Sequence, residues 1–327
     1  MWHLGADIGG TNMRISAITG DGNITRQESF DTGGSLEFVE ACAGFITGYG
    51  SKPEQIIVAA AGVVTNGAVE LTNSGQKFSE TQLANVCGVP SVKILNDFEG
   101  AAWSLSIVDR SQTQMLQQGD LLPDAPMLMI GPGTGLGVGA MIQVHGRPAV
   151  VPGEGGHVSL SPQSAREVDY FMELALLWPE IRIGDGFAIE AEGILSGTGI
   201  PKFYQAIART EHLVAALDTA EEICRAAQMQ TDASAIITMD LFRRYLGQVA
   251  GDLALVFNAR GGVFISGGVA QQNAWLFDEQ FASSFNAGGR HSRLRRKMPV
   301  YLLRDSDFGL SGVKNYITSN GKPSSRR

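Results

Sequence analysis

"HLGADIGGTNMRISAI", residues 3–18, joins an apolar run to a second, alternating run through Gly9, Gly10, Thr11 and Asn12. These turn residues suit positive φ, so the stretch predicts a hairpin of two strands. The plan returns in "MLMIGPGTGLGVGAMIQV", residues 127–144, again strand, glycine- and threonine-bearing turn, strand. Two such hairpins, each opening an α/β unit, predict a duplicated architecture with a cleft between its halves.

Working outward, a third strand is expected from about Ile24 to Phe30. Helical spacing follows over 35–49, with Leu36, Val39, Phe45 and Ile46 tending to one face. "IIVAAAGVV" (56–64) and "VKILND" (92–97) read as buried strands around a polar excursion with a short helix. Residues 163–260 are mostly helical in pattern. "GGVFISGG" (261–268) is a strand, a helix follows near 275–285, and "PVYLLRD" with "GLSGVKNYI" closes the chain as strand and helix.

Composition bounds the function. At 327 residues, two domains are expected on a prior of about 150 residues each, and 44% hydrophobic residues suffice for real cores. A net charge of −8 disfavours broad affinity for nucleic acid. The basic run "GGRHSRLRRKM" (288–298), with no interleaved aromatic residue, reads as a solvated helix face or loop. No apolar run is long enough to span a bilayer, and "MWHLGAD" shows no secretory pattern, so a cytoplasmic protein is expected. Cys42, Cys87 and Cys224 are far apart and form no CxxC pair, consistent with buried thiols in a reducing compartment. The 41 glycines are clustered between apolar runs, where they serve turns and close backbone approach.

The clusters carry the chemistry. In "DIGGTN" (7–12) small residues admit a phosphate, Thr11 offers a hydroxyl, and Asp7 beside a phosphate calls for Mg²⁺, held directly or through water. Alone, the motif reads equally well as a plain hairpin turn. It is neither a P-loop nor a strand–GxGxxG–helix. "GPGTGLG" (131–137) is a second loop of the phosphate type, and two together outweigh either one. "SGGV" (266–269) is a third close-approach point, or simply a strand-to-helix turn. In "PGEGGHVSLSP" (152–162), Glu154 and His157 suit sugar hydroxyls; a metal is disfavoured because no second His or Cys lies near. "AIEAEGILSG" (188–197) offers Glu190 and Glu192, which diverge if the segment is helical, so that one faces the site. Asp97, at the mouth of an apolar strand, either caps the following helix or acts as general base toward a hydroxyl attacking a phosphoryl group. Asn96 beside it is suited to bind substrate.

Taken in order, "DIGGTN", "LNDF", "GTGLGVG", "PGEGGH", "LSGTG" and "GGVFISGGV" resemble the bacterial glucokinases of the enterobacterial type, in the actin-like ATPase superfamily, over about residues 4–312. The resemblance implies an α/β, duplicated ribonuclease-H-like fold with two lobes around a central cleft. It implies a small domain of 1–108 plus about 300–327 and a large one of 109–299. It further implies ATP and Mg²⁺, phosphorylation of glucose at O6, and a homodimer binding neither nucleic acid nor membrane. Residue by residue, Asp97 matches the family's base, and Asn96, Glu154, His157 and Glu192 its sugar ligands. Ala6, Asp7, Ile8, Gly9, Gly10 and Thr11 match its first ATP-binding stretch, Gly133, Thr134 and Gly135 the second, and Gly267 and Gly268 the adenosine-side turn. Asn73 falls where the family has Thr-Asn followed shortly by Trp; here Gln76 stands near the tryptophan's place, a departure that bears on affinity or hexose choice. The alternatives are a kinase of another hexose or with another phosphoryl donor, and a non-catalytic sugar-binding regulator on the same fold.

Overall fold

The computed structural model describes residues 1–9, 12–72, 74–304 and 308–320. The chain forms two compact units: Met1–Asp109 with Gly139–Pro152 and Asp307–Arg327, and Arg110–Val138 with Gly153–Ser306.

The first unit is built on a five-stranded sheet in the order Ile24–Asp31, Asn12–Thr19, Trp2–Ile8, Ile56–Ala60, Val92–Asn96. Its first three strands form an antiparallel meander, as the hairpin motif predicted, and the last two add in parallel. Position explains sequence here. Ile56–Ala60 is flanked on both sides and buried at every residue, whereas the edge strand Ile24–Asp31 is polar and largely exposed. The helix Phe38–Tyr49 buries Val39, Phe45 and Ile46. It starts later than the apolar spacing indicated, so Leu36 lies outside it and is exposed. A three-stranded sheet, Val64–Thr65, Ala68–Glu70 and Lys77–Ser79, occupies the polar excursion before the helix Glu80–Cys87.

The second sheet runs Arg147–Val151, Leu136–Val144, Met127–Pro132, Gly262–Ile265, Val300–Leu303, Thr113–Gln117. Its first five strands repeat the spatial order of the first sheet, third-second-first-fourth-fifth in chain sequence, with Thr113–Gln117 added antiparallel at the edge. That is the duplicated plan the two hairpins announced. Helices Ala165–Leu177, Gly199–Thr210, Ala220–Gln228 and Ala233–Phe257 supply the second unit's core, where Phe171, Phe203, Tyr204 and Phe242 are buried. Local chemistry sets their ends: Thr219 and Glu222 form a capping box, and Asp232 caps the longest helix through the Ala235 amide (2.8 Å).

The strand Val300–Leu303 lies in the second unit and residues 139–152 in the first. Val300–Leu303 pairs in parallel with Gly262–Ile265 of the same unit. The basic run departs from expectation at one residue. Arg290, Arg293, Arg296 and Lys297 are exposed, but Arg295 is buried, pairing with Asp252 and donating to the Phe285 carbonyl (3.1 Å). A buried guanidinium needs such partners; these two engage its terminal nitrogens, while Nε has no hydrogen-bond partner among the described residues. The three cysteines are free and buried, and burial pushes the Cys224 thiol up to about 12. Among the described residues no helix is long and apolar enough to cross a membrane.

Candidate active site

Three parallel strands of the first unit end at one level. Ile8 lies opposite Ala60, and Ala60 opposite Asn96. The carboxyl edge of parallel strands is where α/β sheets leave room for ligands. At that edge the capping question resolves. Asn96 is the N-cap of the helix Asp97–Trp103, its Oδ1 accepting from the Phe98 amide (2.9 Å) and the Glu99 amide (3.4 Å). Its Nδ2 donates to the Gly62 carbonyl (3.0 Å). Asp97 is therefore the first helical residue, half-buried, with Oδ1 accepting from the Phe98 amide (2.9 Å). The cap belongs to its neighbour, and the positive end of the helix favours a carboxylate at Asp97. Glu99, in the same turn, is pushed up by burial.

Of the first phosphate stretch, Ala6 and Ile8 are fully buried sheet residues. Their side chains build the core and support the turn. Gly9 is exposed; its amide donates to the Asn12 carbonyl (2.9 Å), and Thr32 Oγ1 donates to the Gly9 carbonyl (3.1 Å). Gly10, Thr11 and Asn73 lie outside the described residues. Asp7 is paired with Arg14 (2.8 Å), its cross-strand neighbour. Among the described residues no cluster of three or more acidic, histidine or cysteine side chains could hold a metal. A lone carboxylate suits Mg²⁺ only in the usual nucleotide mode, where phosphates and waters supply the other ligands. Gln76, in the tryptophan's place, accepts from the Phe38 amide (3.0 Å) and donates to the Thr32 carbonyl (3.4 Å), so it acts as a strut.

In the second unit, the Gly133–Gly135 loop is stapled by "LSGTG". The Gly133 amide donates to the Gly135 carbonyl (2.8 Å), the Gly197 amide to the Gly133 carbonyl (2.7 Å), and Thr198 Oγ1 to the Thr134 carbonyl (3.0 Å). Glu192 closes the staple, its Oε2 accepting from the Leu136 amide (2.7 Å), and a Cβ on Gly135 would come within 2.5 Å of that carboxylate. Gly267 has φ +84 and joins the strand Gly262–Ile265 to the helix Gly268–Gln272; a Cβ there would lie 2.5 Å from the Pro132 carbonyl oxygen. Both glycine turns thus meet at the carboxyl edge of the second sheet.

The "AIEAEG" segment is not helical. Ile189–Glu190 is a short strand paired with Ser159–Leu160, and Ala191–Gly193 a single 3₁₀ turn. Glu190 and Glu192 consequently do not diverge as expected. Glu190 Oε2 lies 2.8 Å from His157 Nδ1, and this bond raises the imidazole pKa, with Glu192 and Glu154 adding to it and partial burial opposing. Glu154 is exposed, and its carbonyl accepts from the His157 amide (3.1 Å), closing the turn. A groove of about 710 Å³ in the first unit, lined by Val63, Val69, Phe78 and Gln82 among others, contains none of the described candidate residues.

The family model described as Glucokinase matches residues 4–320. The chain belongs to the glucokinase family. Members transfer a phosphoryl group from ATP to glucose, and that is this chain's activity. The glucokinase of Mesorhizobium japonicum is 34% identical over 314 residues, 95% of this chain and 89% of that protein. A crystal structure of a glucokinase from an Antarctic psychrotroph superposes with TM-score 0.81 at 28% identity, over 97% of this chain and 98% of its own. The glucokinase of Balamuthia mandrillaris, solved in complex with glucose, shares the fold at TM-score 0.79 and 20% identity, over 97% of this chain and 93% of its own.

For a glucokinase-family member, the sequence reading missed Arg14, and Glu190 as a partner of His157. The first had a signal: strict alternation across a two-strand turn puts Arg14 opposite Asp7. The second had none, because Glu190 meets His157 only through a two-residue ladder between distant segments.

Proposed function

We propose that Asp97 is the general base of glucose phosphorylation at O6. The observation that carries this is the strand-to-helix corner: Asn96 takes the cap, and Asp97 is held at the carboxyl edge of the sheet as the adjoining carboxylate. Phosphoryl transfer asks mainly for positioning and charge neutralisation. Asp97 takes the proton of the attacking hydroxyl. Asn96, Glu154, His157 and Glu192 bind the sugar's other hydroxyls, and each lost partner costs about 1–3 kcal/mol when a wrong epimer leaves a polar group unpaired. The Gly133–Gly135 loop, with Gly9, Gly10 and Thr11, binds ATP phosphates, and Gly267 and Gly268 admit the nucleoside. Asp7 would hold Mg²⁺, directly or through water, and the ion would offset phosphate charge when bound with nucleotide. We assign the first unit as the smaller domain and the second as the larger, and place the protein in the cytoplasm as a homodimer serving glycolysis.

The test is initial-rate ADP production with MgATP across glucose, mannose, fructose, galactose and N-acetylglucosamine, with Asp97→Ala as control. Turnover on glucose that the substitution abolishes is expected. Turnover that survives it removes Asp97 from the base role, and preference for another sugar revises the ligand assignments.

A further inference from the structure

Glu190 has no role in the assignments above, yet its carboxylate is bonded to the His157 ring. We propose that Glu190 is a positioning residue for the sugar site: it fixes His157 through Nδ1, so that Nε2 is the ring nitrogen presented to the sugar. The proposal rests on the reading of His157 as a sugar contact.

The geometry supports it from both sides. Glu190 is itself fixed, because its strand pairs Ser159 with Glu190 and Leu160 with Ile189, while the Ala191 amide donates to the Val158 carbonyl (2.9 Å). His157 sits in the turn Gly155–His157, tied at its own amide to Glu154. The imidazole and its partner therefore come from two segments clasped by the same short ladder. An imidazole with Nδ1 engaged by a carboxylate has one ring orientation and one tautomer, and its other nitrogen is the ligand-facing one. The charged groups that bear on the ring are Glu190, Glu192 and Glu154, and each raises the imidazole pKa while partial burial opposes them. With both nitrogens protonated, Nδ1 donates to Glu190 and Nε2 to a sugar oxygen. Above its midpoint His157 loses a proton, and Nε2 ceases to be a donor.

The experiment pairs an imidazole titration with kinetics on the full-length enzyme. The His157 ring is followed by NMR in the sugar-free protein, its resonance identified by loss in His157→Ala, and glucose KM and kcat are measured from pH 6 to 9 with MgATP. The wild-type midpoint is expected above the ordinary value of about 6.5, with glucose KM rising as pH passes through it. Glu190→Gln should lower that midpoint and raise glucose KM at neutral pH by about two- to fivefold, the range of a partly exposed ion pair, while kcat moves less. Glu190→Asp, which keeps the charge, should lie nearer wild type and serves as the second variant if Glu190→Gln folds poorly. A glucose KM unchanged in both Glu190 variants, with His157→Ala raising it, overturns the positioning role and leaves the sugar contact standing. A KM unchanged in His157→Ala overturns the sugar contact and the proposal with it.

Discussion

The Asn96–Asp97 corner and the His157–Glu190–Glu192 cluster hold polar groups still by different means. The corner uses backbone. A parallel strand ends, a helix begins on the next residue, and the orphan amides of the first turn are satisfied by Asn96. The cluster uses side chains on irregular backbone: one carboxylate holds an imidazole, another a loop amide, and a two-residue ladder holds both segments. Secondary structure supplies the corner's precision from neighbours in sequence. The cluster needs residues more than thirty positions apart to arrive together, and the loss of any one partner loosens it.

This contrast can be broken at several points. Asp97→Asn should lower kcat by about 10²–10⁴-fold, the share of a positioned base, while leaving the melting temperature near wild type because Asn96 retains the cap. A large fall in melting temperature would mean that the corner depends on Asp97 for folding. Next comes Gly267→Ala: a side chain at φ +84 that also meets the Pro132 carbonyl should destabilise by about 2 kcal/mol or more and raise the KM for ATP, as denaturant unfolding and nucleotide titration would show. Asn96→Ala removes a cap and should cost about 1 kcal/mol in chemical denaturation, with Asn96→Asp recovering most of it. If Asn96→Asp recovers nothing, the Nδ2 bond to Gly62 is the larger contribution.

The smallest effect belongs to the cluster. The folded-state pKa of His157 is raised, so its pairing stabilises the fold fully below the unfolded imidazole value and is lost as pH rises through the higher folded value. The ring is 43% exposed, which limits the contribution to about 1 kcal/mol or less. Denaturant midpoints at pH 5.5 and pH 9, compared between wild type and Glu190→Gln, should converge at the higher pH. Curves that stay parallel would remove the ion pair from the stability account.

Much of this was legible beforehand. The paired hairpins, the buried parallel strands and the glycine turns follow from periodicity and from residues that tolerate positive φ, which act within a few positions of the chain. The same local logic put Asn96 and Asp97 at a strand end, though it left open which of them caps. Other readings failed where a distant partner decides. In "AIEAEG" a helix would have made Glu190 and Glu192 diverge, but Ile189–Glu190 forms a strand because Ser159–Leu160 is there to pair with it. Arg295 looks like part of a solvated basic run but is buried, with Asp252 and the Phe285 carbonyl as partners of its terminal nitrogens. By itself, then, the sequence determined the strands, the turns and the order of the chemical motifs, since these depend on short-range sterics and apolar patterning. Only the tertiary structure decided that Glu190 meets His157, that Glu192 braces the Gly133–Gly135 loop and that Asn96 rather than Asp97 caps, because each is a pairing made by geometry.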